Sequence, residues 1–456
     1  MRVVIQAIVE GAKAVQVGIV ERAPDAAPSS GLGLFLAESR ELLAALQAVV
    51  VAEQTREVVK AMSRCASCLE PLTVKDTKSI VYRTAFGKAS LPSPRLYARC
   101  AGCGAFSYHR DSFSPLALAL PERTHPQWTW LQTRYASVMS YNLARKFLLH
   151  AFPGATALPT SSVRANVQKI GARLEGEVRA RIEHVLEETP VDCDRPVPPV
   201  TRATHALQVD AGYVRSVPDR EGTHWISTIA SKVVRPGTKR THEHAYSIGY
   251  EPMQGIRQQA FLASIGIGLD VPITVLSDGG EDVDSACSLP AANERILDWF
   301  HIGMRFEHLR LATVGLKGLD EYDRTEVLRA GEGAKWLLWH GRAEGCLQRL
   351  EMLRRETGWV GKRNALGRLI FYLRRASWGL VNYAKRRAQG LPISSAGAES
   401  VVDHVVGQRM KRNGHMRWTR RGANNLLQVR CAVLNTQDVR NFKRWYPANE
   451  SVLRAA

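Results

Sequence analysis

The sequence predicts a multidomain α+β protein, and three features of the chain point to this class. Two Cys-x-x-Cys pairs lie in the first quarter of the 456 residues. Long stretches with helical periodicity follow them. Beyond a proline-rich segment, three strand-like runs precede a helix and a further strand, which predicts a mixed sheet. A chain of this length exceeds the usual size of one hydrophobic core, so several domains are expected.

The motifs divide the chain into seven predicted segments, and the clearest boundary is the proline-rich "DRPVPPVTR" at 194–202. In order, the segments are an N-terminal helical region (1–62), a zinc ribbon (63–110), a helix-turn-helix-like DNA-binding domain (111–190), a linker (191–203), the first part of an α/β core (204–305), an all-helical insertion (306–392), and the last core helix with a basic C-terminal tail (393–456).

The charge of the chain favours a polyanionic partner. Lys and Arg number 62 against 43 Asp and Glu, a formal net charge of +19. Because each neutralised phosphate releases counterions, such a surplus suits nucleic acid. A membrane surface is the weaker reading, since no long amphipathic basic helix stands out. The most apolar stretch, 42–52, is too short to span a bilayer. We therefore expect a cytoplasmic, nucleoid-associated protein with reduced cysteines.

The two cysteine pairs predict a structural zinc site. A hairpin-length spacer separates "CASC" from "CAGC", and four thiolates would close a tetrahedral shell. Small buried residues are the alternative reading. The predicted ligands are Cys65, Cys68, Cys100 and Cys103. The scattered cysteines are expected to pack in cores; they are Cys193, Cys287, Cys346 and Cys431.

Residues 126–188 read as three helices, the last with Thr160 or Ser161 as its N-cap. Two helices, a turn and a basic helix fit a helix-turn-helix, in which the last helix enters a major groove. Generic three-helix packing fits equally well, and both readings stay open. The candidate DNA-reading residues are Arg164, Asn166, Gln168 and Lys169.

Two aspartates end apolar runs that read as core strands. Asp210 lies in "LQVDAGY" and Asp278 in "VLSDGG", each with glycine close behind. If the strands are neighbours, the carboxylates converge, repel each other and invite a divalent cation. Oxygen ligands of this kind suit Mg²⁺ or Mn²⁺. The acids at 281, 282 and 284 are expected to form a solvated loop.

A third carboxylate is predicted at Glu399, from the helix that "AGAESVVDHVV" indicates. It lies at the border of the apolar stripe of that helix, where solvent exposure alone would not explain an acid. Three acids around two metal ions, roughly 3.5–4 Å apart, are the arrangement that phosphoryl transfer uses.

With these residues in place, the sequence resembles the DDE transposases of bacterial insertion sequences, most closely the ISKra type and more distantly the Mutator-like enzymes. The resemblance covers about 204–435 and rests on "QVDAGYV", "VLSDGG", "ILDWFHIGMRFEH" and "GAESVVDHVVGQRMKRNGHMRWTRRGANNLLQVR". It implies a ribonuclease-H-like catalytic core that a mostly helical insertion interrupts before the last acid. It also implies that the N-terminal modules recognise terminal inverted repeats.

The resemblance adds a second motif near the predicted catalytic acids, in which Asp298 and His301 follow a strand. They are candidate catalytic residues, and a structural Asp–His pair is the alternative. The segment from 410 to 425 reads as a DNA contact, with a solvated charged surface as its alternative. Its candidate residues are Lys411, Arg412, Arg417, Trp418, Arg420 and Arg421.

Three functions therefore compete. The first is a transposase that binds terminal inverted repeats and target DNA as a homodimer or larger assembly and uses two Mg²⁺ (or Mn²⁺) ions per active site. The second is a ribonuclease-H-like nuclease or resolvase without strand transfer. The third is a DNA-binding regulator whose acids are structural.

Overall fold

The computed structural model describes residues 1–9, 13–22, 33–152, 158–188, 199–218, 222, 224–238, 240–249, 253–290, 292–315, 321–357, 364–394, 401–411 and 416–447. Their contacts divide the chain into two compact units, 1–167 with 439–456 and 168–438. None of the helices in these ranges is both long and apolar enough to cross a bilayer. The mixed helices and sheets agree with the predicted α+β class.

The first unit opens with an antiparallel strand pair and a long helix. The strands are β1 (Arg2–Ala7) and β2 (Val15–Glu21), and the helix is α1 (Leu36–Met62). The predicted N-terminal helical region (1–62) therefore contains a strand pair in addition to its helix. Arg22 lies 2.6 Å from Glu38 in the first turn of α1, so an ion pair joins the helix to the end of β2.

A second, three-stranded sheet carries the cysteines at one end. Strands β3 (Val74–Thr84) and β4 (Gly87–Tyr97) form a long antiparallel hairpin, to which β5 (Ser112–Phe113) is added. The predicted hairpin between the two Cys-x-x-Cys pairs is therefore confirmed. Leu72 and Leu96 are buried beneath the cysteines and form the small core of this part.

Four helices follow the hairpin, and the last three lie in 126–188, where the sequence predicted three helices. They are α2 (Pro115–Ala119), α3 (Pro126–Val138), α4 (Tyr141–Ala151) and α5 (Thr160–Glu188). Ser140 caps α4 by accepting the amide of Leu143 at 3.2 Å, which satisfies a donor that the first turn leaves free.

The second unit is built on a mixed five-stranded sheet. Its elements are β6 (His205–Arg215), β7 (Trp225–Val234), β8 (Thr241–Ser247), α6 (Gln254–Ser264), β9 (Ile273–Ser277), α7 (Glu281–Cys287) and β10 (Ala292–Leu297). The strand order is β10-β9-β6-β7-β8, with an antiparallel meander from β6 to β8. Strands β9 and β10 run parallel to β6. The predicted meander, helix and strand are confirmed; β10 is an addition.

A helical layer with its own core follows the sheet. It contains α8 (Trp299–Val314), α9 (Glu321–Trp339), α10 (Ala343–Glu356), α11 (Ala365–Arg375) and α12 (Tyr383–Ala388). Leu309, Leu350 and Leu369 are buried between these helices. The helical character predicted for this region is confirmed, although its first helix begins at Trp299 and not at 306.

The described C-terminal residues differ from the predicted last helix and basic tail. A π-helical segment (Asp403–Gly407) leads into α13 (Gln408–Met410), and α14 (Arg420–Leu434) and α15 (Asp438–Trp445) follow. Helix α14 is buried from Gly422 to Ala432. Its Arg430 is 2% exposed and donates to the carbonyls of His404 and Val405 at 2.5 Å. This buried guanidinium satisfies carbonyl groups of the π-helical segment. The basic composition of the sequence did not reveal that role.

Side-chain amides of α14 and the turn after it complete the hydrogen bonding of β8. Asn435 accepts from the amide of Glu243 at 2.8 Å and donates to its carbonyl at 2.7 Å. Gln428 donates to the carbonyl of Ala245 at 3.0 Å. Asn424 accepts from the amide of Ser247 at 3.1 Å. Side-chain amides therefore satisfy the main-chain groups on the outer edge of β8, where a further strand would otherwise pair.

Candidate active site

Asp210 and Asp278 occupy adjacent positions on neighbouring parallel strands. The register pairs Val209 of β6 with Ser277 of β9, so the next residue on each strand is the aspartate. Both side chains are half-buried. The Asp278 carboxylate accepts the amide of Gly280 at 2.8 Å, which holds it in the turn after β9. The two strands are neighbours, which is the condition under which the sequence predicted that the two acids meet.

A third carboxylate joins them from β10. Leu297 pairs with Ser277, and the amide of Asp298 donates to the carbonyl of Ser277 at 2.9 Å. Asp298 is 3% exposed and caps α8 by accepting the amide of Phe300 at 2.8 Å. Strands β9 and β10 thus each lead directly into an aspartate, and Asp210 lies at the middle of the parallel neighbour β6, just beyond its pairing with β9.

His301 lies within the electrostatic influence of all three carboxylates. Its Nδ1 lies 3.4 Å from Oδ2 of Asp298, an ion-pair distance without hydrogen-bond alignment. Burial lowers the pKa of His301, but the adjacent Asp298 and the charges of Asp210 and Asp278 outweigh burial and raise it above its ordinary value. The imidazole therefore favours the protonated form beside the acids.

Two further side chains fix the turn that follows Asp278. Arg375 of α11 donates to the carbonyl of Gly279 and lies 2.6 Å from Glu281. The hydroxyl of Tyr213 on β6 donates to Asp282. That bond, burial and nearby negative charge, including that of Asp278, raise the Tyr213 pKa. Residues 281–284 open α7 and so do not form the expected loop, but the acids at 281, 282 and 284 are exposed to solvent as expected.

The predicted third catalytic acid, Glu399, lies outside the described residues. The helix after it is described from Val401, and its predicted apolar positions Val401, Val402, Val405 and Val406 are buried. Val402 packs on Gly212, where an added Cβ would lie 2.5 Å from its Cγ1. Gly212 is two residues beyond Asp210 on β6. The start of this helix therefore crosses the strand that carries Asp210.

The four predicted zinc ligands form one thiol cluster. Sγ of Cys65 lies 3.7 Å from that of Cys103, and Sγ of Cys68 lies 3.5 Å from that of Cys100. All four sulfurs lie within 4.8 Å of one another. A tetrahedral ion with Zn–S bonds of about 2.3 Å requires sulfur separations of about 3.8 Å. The cluster therefore fits a structural zinc ion.

Electrostatics in this cluster also suit a cation. Backbone amides of Cys68 and Ser67 lower the Cys65 pKa to about 6. The Glu70 amide lowers the Cys68 pKa, but Cys103, burial and the remaining thiols raise it to about 12. Of the cysteines expected in cores, Cys287, Cys346 and Cys431 are buried, and Cys193 lies outside the described residues.

The candidate DNA-reading residues of α5 differ in their surroundings. Arg164 and Lys169 are exposed. Asn166 donates to Gln132 of α3 at 2.9 Å. Gln168 donates to the carbonyl of Gly422 at 3.2 Å and accepts from the Asn425 amide at 3.0 Å. The amide side chains thus make structural bonds, and the two cations face solvent.

The residues of the predicted DNA-contacting segment also differ in exposure. Its exposed cations are Lys411, Arg417, Arg420 and Arg421. Arg412 lies outside the described residues. Trp418 is 8% exposed, and Arg409 lies 5.5 Å from its ring centroid. Its backbone bridges to Ser216. The expected stacking of Trp418 on a base is therefore corrected, because a buried indole leaves no face for it.

Among the residues described, the thiol cluster is the one set of three or more His, Cys, Asp or Glu side chains close enough to share an ion. Asp210 and Asp278 supply two carboxylates to their site, and a third ligand must be added for a magnesium shell. Sequence reasoning missed Arg375, which lies in no recognisable motif, and Tyr213, which lies in "QVDAGYV" but was given no role there. No family model matches the chain. No curated protein is significantly similar to it.

Proposed function

We propose that the chain is a DDE-type DNA transposase of an insertion sequence with a ribonuclease-H-like catalytic core. The observation that carries this proposal is that Asp210 and Asp278 directly follow Val209 and Ser277, which are paired on adjacent parallel strands. The strand order, an antiparallel meander followed by parallel strands, supports the core expected from the sequence. The net charge of +19 supports a DNA substrate.

In this proposal Asp210, Asp278 and Glu399 hold two magnesium ions. Bound magnesium supplies Lewis-acid stabilisation of a phosphate and acidifies a nucleophilic oxygen. The packing of Val402 on Gly212 brings the helix that follows Glu399 across the strand of Asp210. Terminal repeats would be bound by the zinc ribbon and the helices after it, with structural Zn²⁺ on the four cysteines.

The remaining side chains have positioning roles. Asp298 caps α8 and raises the pKa of His301, so it favours a protonated imidazole beside the carboxylates that could contact a scissile-strand phosphate. Arg375 holds the carbonyl of Gly279 and so fixes the turn that aims Asp278. A carboxylate held on a rigid strand end needs little reorganisation in the reaction, which favours catalysis.

The test is cleavage and joining of duplex oligonucleotides that carry the inverted repeats flanking the gene, with Mg²⁺ or Mn²⁺. Asp278→Asn is expected to reduce both reactions at least about 10³-fold, because a neutral ligand loses several kcal/mol of metal-dependent stabilisation. Its affinity for the repeats should be unchanged. The matched control is Asp270→Asn, an exposed turn residue of the same unit. Undiminished strand transfer by Asp278→Asn would refute the proposal, and cleavage without joining by the wild type would indicate a nuclease.

A further inference from the structure

The N-terminal region of the first unit, residues 1–62, leaves much of its apolar surface uncovered. The described part of the chain has 34 large apolar side chains that are exposed, and twelve of them lie in the first 50 residues. Helix α1 is 27 residues long, yet its buried residues are Val51 and Thr55 alone. Because a two-stranded sheet is marginally stable by itself, the β1–β2 pair and the first half of α1 need a partner.

Helix α1 lies against one face of the β1–β2 pair. A Cβ on Gly18 would lie 3.1 Å from Leu42, so Gly18 of β2 faces the helix. Side chains alternate along a strand, so Val20 shares this face, and so does Val3, its partner on β1. Val3 is nevertheless 42% exposed. The helix therefore covers β2 and leaves this face of β1 open.

An apolar stripe runs along the first half of α1. It consists of Leu36, Leu43, Leu46 and Val50, each at least 40% exposed. Three of these residues are seven positions apart, and Leu46 lies between the last two. This spacing places the four side chains on one side of the helix, as in helices that pair with another helix.

The stripe points to the side on which β1 lies. Leu42 lies over Gly18 and Glu38 beside Arg22, so α1 runs antiparallel to β2. The stripe is turned from Leu42 by roughly a right angle about the helix axis. In a right-handed helix of this direction, that turn faces the edge of β2 that pairs with β1. The stripe and the open face of β1 are therefore continuous.

Strand β1 also has an edge that is available for pairing. In the described residues its sheet contains β2 as the second and last strand. Met1 and Arg22 exchange both main-chain hydrogen bonds, so the odd residues of β1 bond to β2, and Val4 directs its amide and carbonyl outward. An unpaired edge of this kind is a template for a strand of another chain.

Charge favours a protein partner over DNA for this surface. Residues 1–62 contain six Lys and Arg against seven Asp and Glu, so the positive surplus of the chain lies entirely in the remaining residues. A region without net positive charge offers little attraction to phosphate. It also does not repel a second copy of itself, as the rest of this cationic chain would.

The exposed area matches what a dimer needs. The exposed fractions of the stripe, Val3 and Val4 correspond to roughly 450 Å² of apolar surface. At an apolar share of about 60%, this predicts an interface of roughly 750 Å² per partner, close to the value of about 800 Å² that is typical of stable complexes.

We propose that residues 1–62 form a homodimer interface. Strand β1 pairs antiparallel with β1 of a second copy about a two-fold axis beside Val4. The two α1 helices then lie on the same face of a four-stranded sheet, and their apolar stripes pack together. A two-fold axis of this kind uses the same surface on both copies and closes the assembly at two chains.

The test is the mass of the full-length protein in solution, measured by light scattering in high salt after nuclease treatment, so that DNA cannot join copies. Wild-type protein is expected to be a dimer. Leu43→Glu/Leu46→Glu should weaken the dimer at least about 100-fold, because like charges would meet in the interface. The control is Ala48→Glu/Ala52→Glu, which adds the same charge at exposed positions on the opposite side of α1 and should stay dimeric.

A second variant tests the strand pairing independently of the stripe. Val4→Pro removes an amide that faces the open edge of β1, so the β1–β2 pair should persist while the dimer weakens at least about tenfold. Circular dichroism should show the wild-type helix content in every variant, because each replaced side chain is exposed in the single chain.

The inference is overturned if the wild type is monomeric, if the Leu43→Glu/Leu46→Glu or Val4→Pro protein dimerises as tightly as the wild type, or if the control dissociates equally. A monomeric wild type that floats with phospholipid vesicles would assign the surface to a membrane instead. Asp278→Asn should dimerise as the wild type does, so failure of this inference and failure of the catalytic proposal are distinguishable.

Discussion

Replacing Arg257 by Met should destabilise the second unit more than any surface substitution. Arg257 is fully buried on α6, and its two terminal nitrogens donate to Glu175 of α5 at 2.7 and 2.8 Å. Glu175 is 4% exposed and also accepts from Asn424 of α14 at 2.9 Å. The pair therefore joins three helices. Removing one partner of such a pair leaves an uncompensated buried charge.

The expected loss for Arg257→Met is about 3–5 kcal/mol in the free energy of unfolding. The double variant Arg257→Met/Glu175→Leu should lose less, about 1–3 kcal/mol, because it removes both charges and leaves the Asn424 amide without an acceptor. Urea denaturation measures each loss, and hydrogen exchange of α5 and α6 assigns it to this unit. A single-variant loss below about 1 kcal/mol would refute the reasoning, as would strictly additive losses.

The pH dependence gives an independent measure of this ion pair. Burial raises the pKa of Glu175, but Arg257 and the Asn424 amide outweigh burial and lower it below its ordinary value of 4.5. The unfolded chain then binds protons more readily than the folded chain. This stabilisation is complete above the ordinary pKa and is lost as the pH falls through the lowered folded value. In Arg257→Met this part of the acid dependence should vanish.

Three further predictions concern the two candidate sites. Metal analysis of the full-length protein should find one zinc ion per chain. Cys68→Ser or chelation should unfold the hairpin region in calorimetry, because structural zinc contributes roughly 10 kcal/mol or more of folding free energy. The raised pKa of His301, followed by NMR, should fall in Asp298→Asn and also when Mg²⁺ neutralises Asp210 and Asp278; an unchanged value with Mg²⁺ would contradict metal binding there. The stability linked to His301 is present below its ordinary pKa and is lost as the pH rises through the folded value. Arg375→Gln should slow cleavage about 10–100-fold at unchanged DNA affinity, because the turn that carries Asp278 loosens. The control is Arg374→Gln, which removes an ion pair with Glu351 and should keep the wild-type rate.

The sequence predicted most strands of the sheet because their side chains signal burial directly. Strand β9 is buried at every position and reads as an uninterrupted apolar run. Strand β10 was missed because "ANERIL" places Glu294 and Arg295 in the middle of six residues. Arg386 lies beside Glu294 and Arg295 lies 2.5 Å from Asp284, contacts that only the tertiary structure supplies.

The carboxylate pair was predictable because a carboxylate at the end of an apolar strand is costly unless a cation or hydrogen-bond donors stabilise it. Its supporting side chains were not predictable. Arg375 follows Asp278 by almost a hundred residues and carries no local signal. The prediction for Trp418 was wrong because its local sequence was misleading. A tryptophan among arginines has the composition of a DNA contact whether the indole is exposed or buried. Its contacts with Arg409 and Ser216 decide the matter, and Ser216 comes from β-sheet sequence far upstream of the segment.

The amides that satisfy β8 restrict how copies of this chain can assemble. A strand from another molecule could extend the sheet there only after Asn424, Gln428 and Asn435 had released the main chain of residues 243–247. Lengthening of the sheet from that side, the usual route to domain-swapped or fibrillar contacts, would first require α14 to detach. Helix α14 thus blocks strand addition at β8, and multimers of this protein must form through other surfaces.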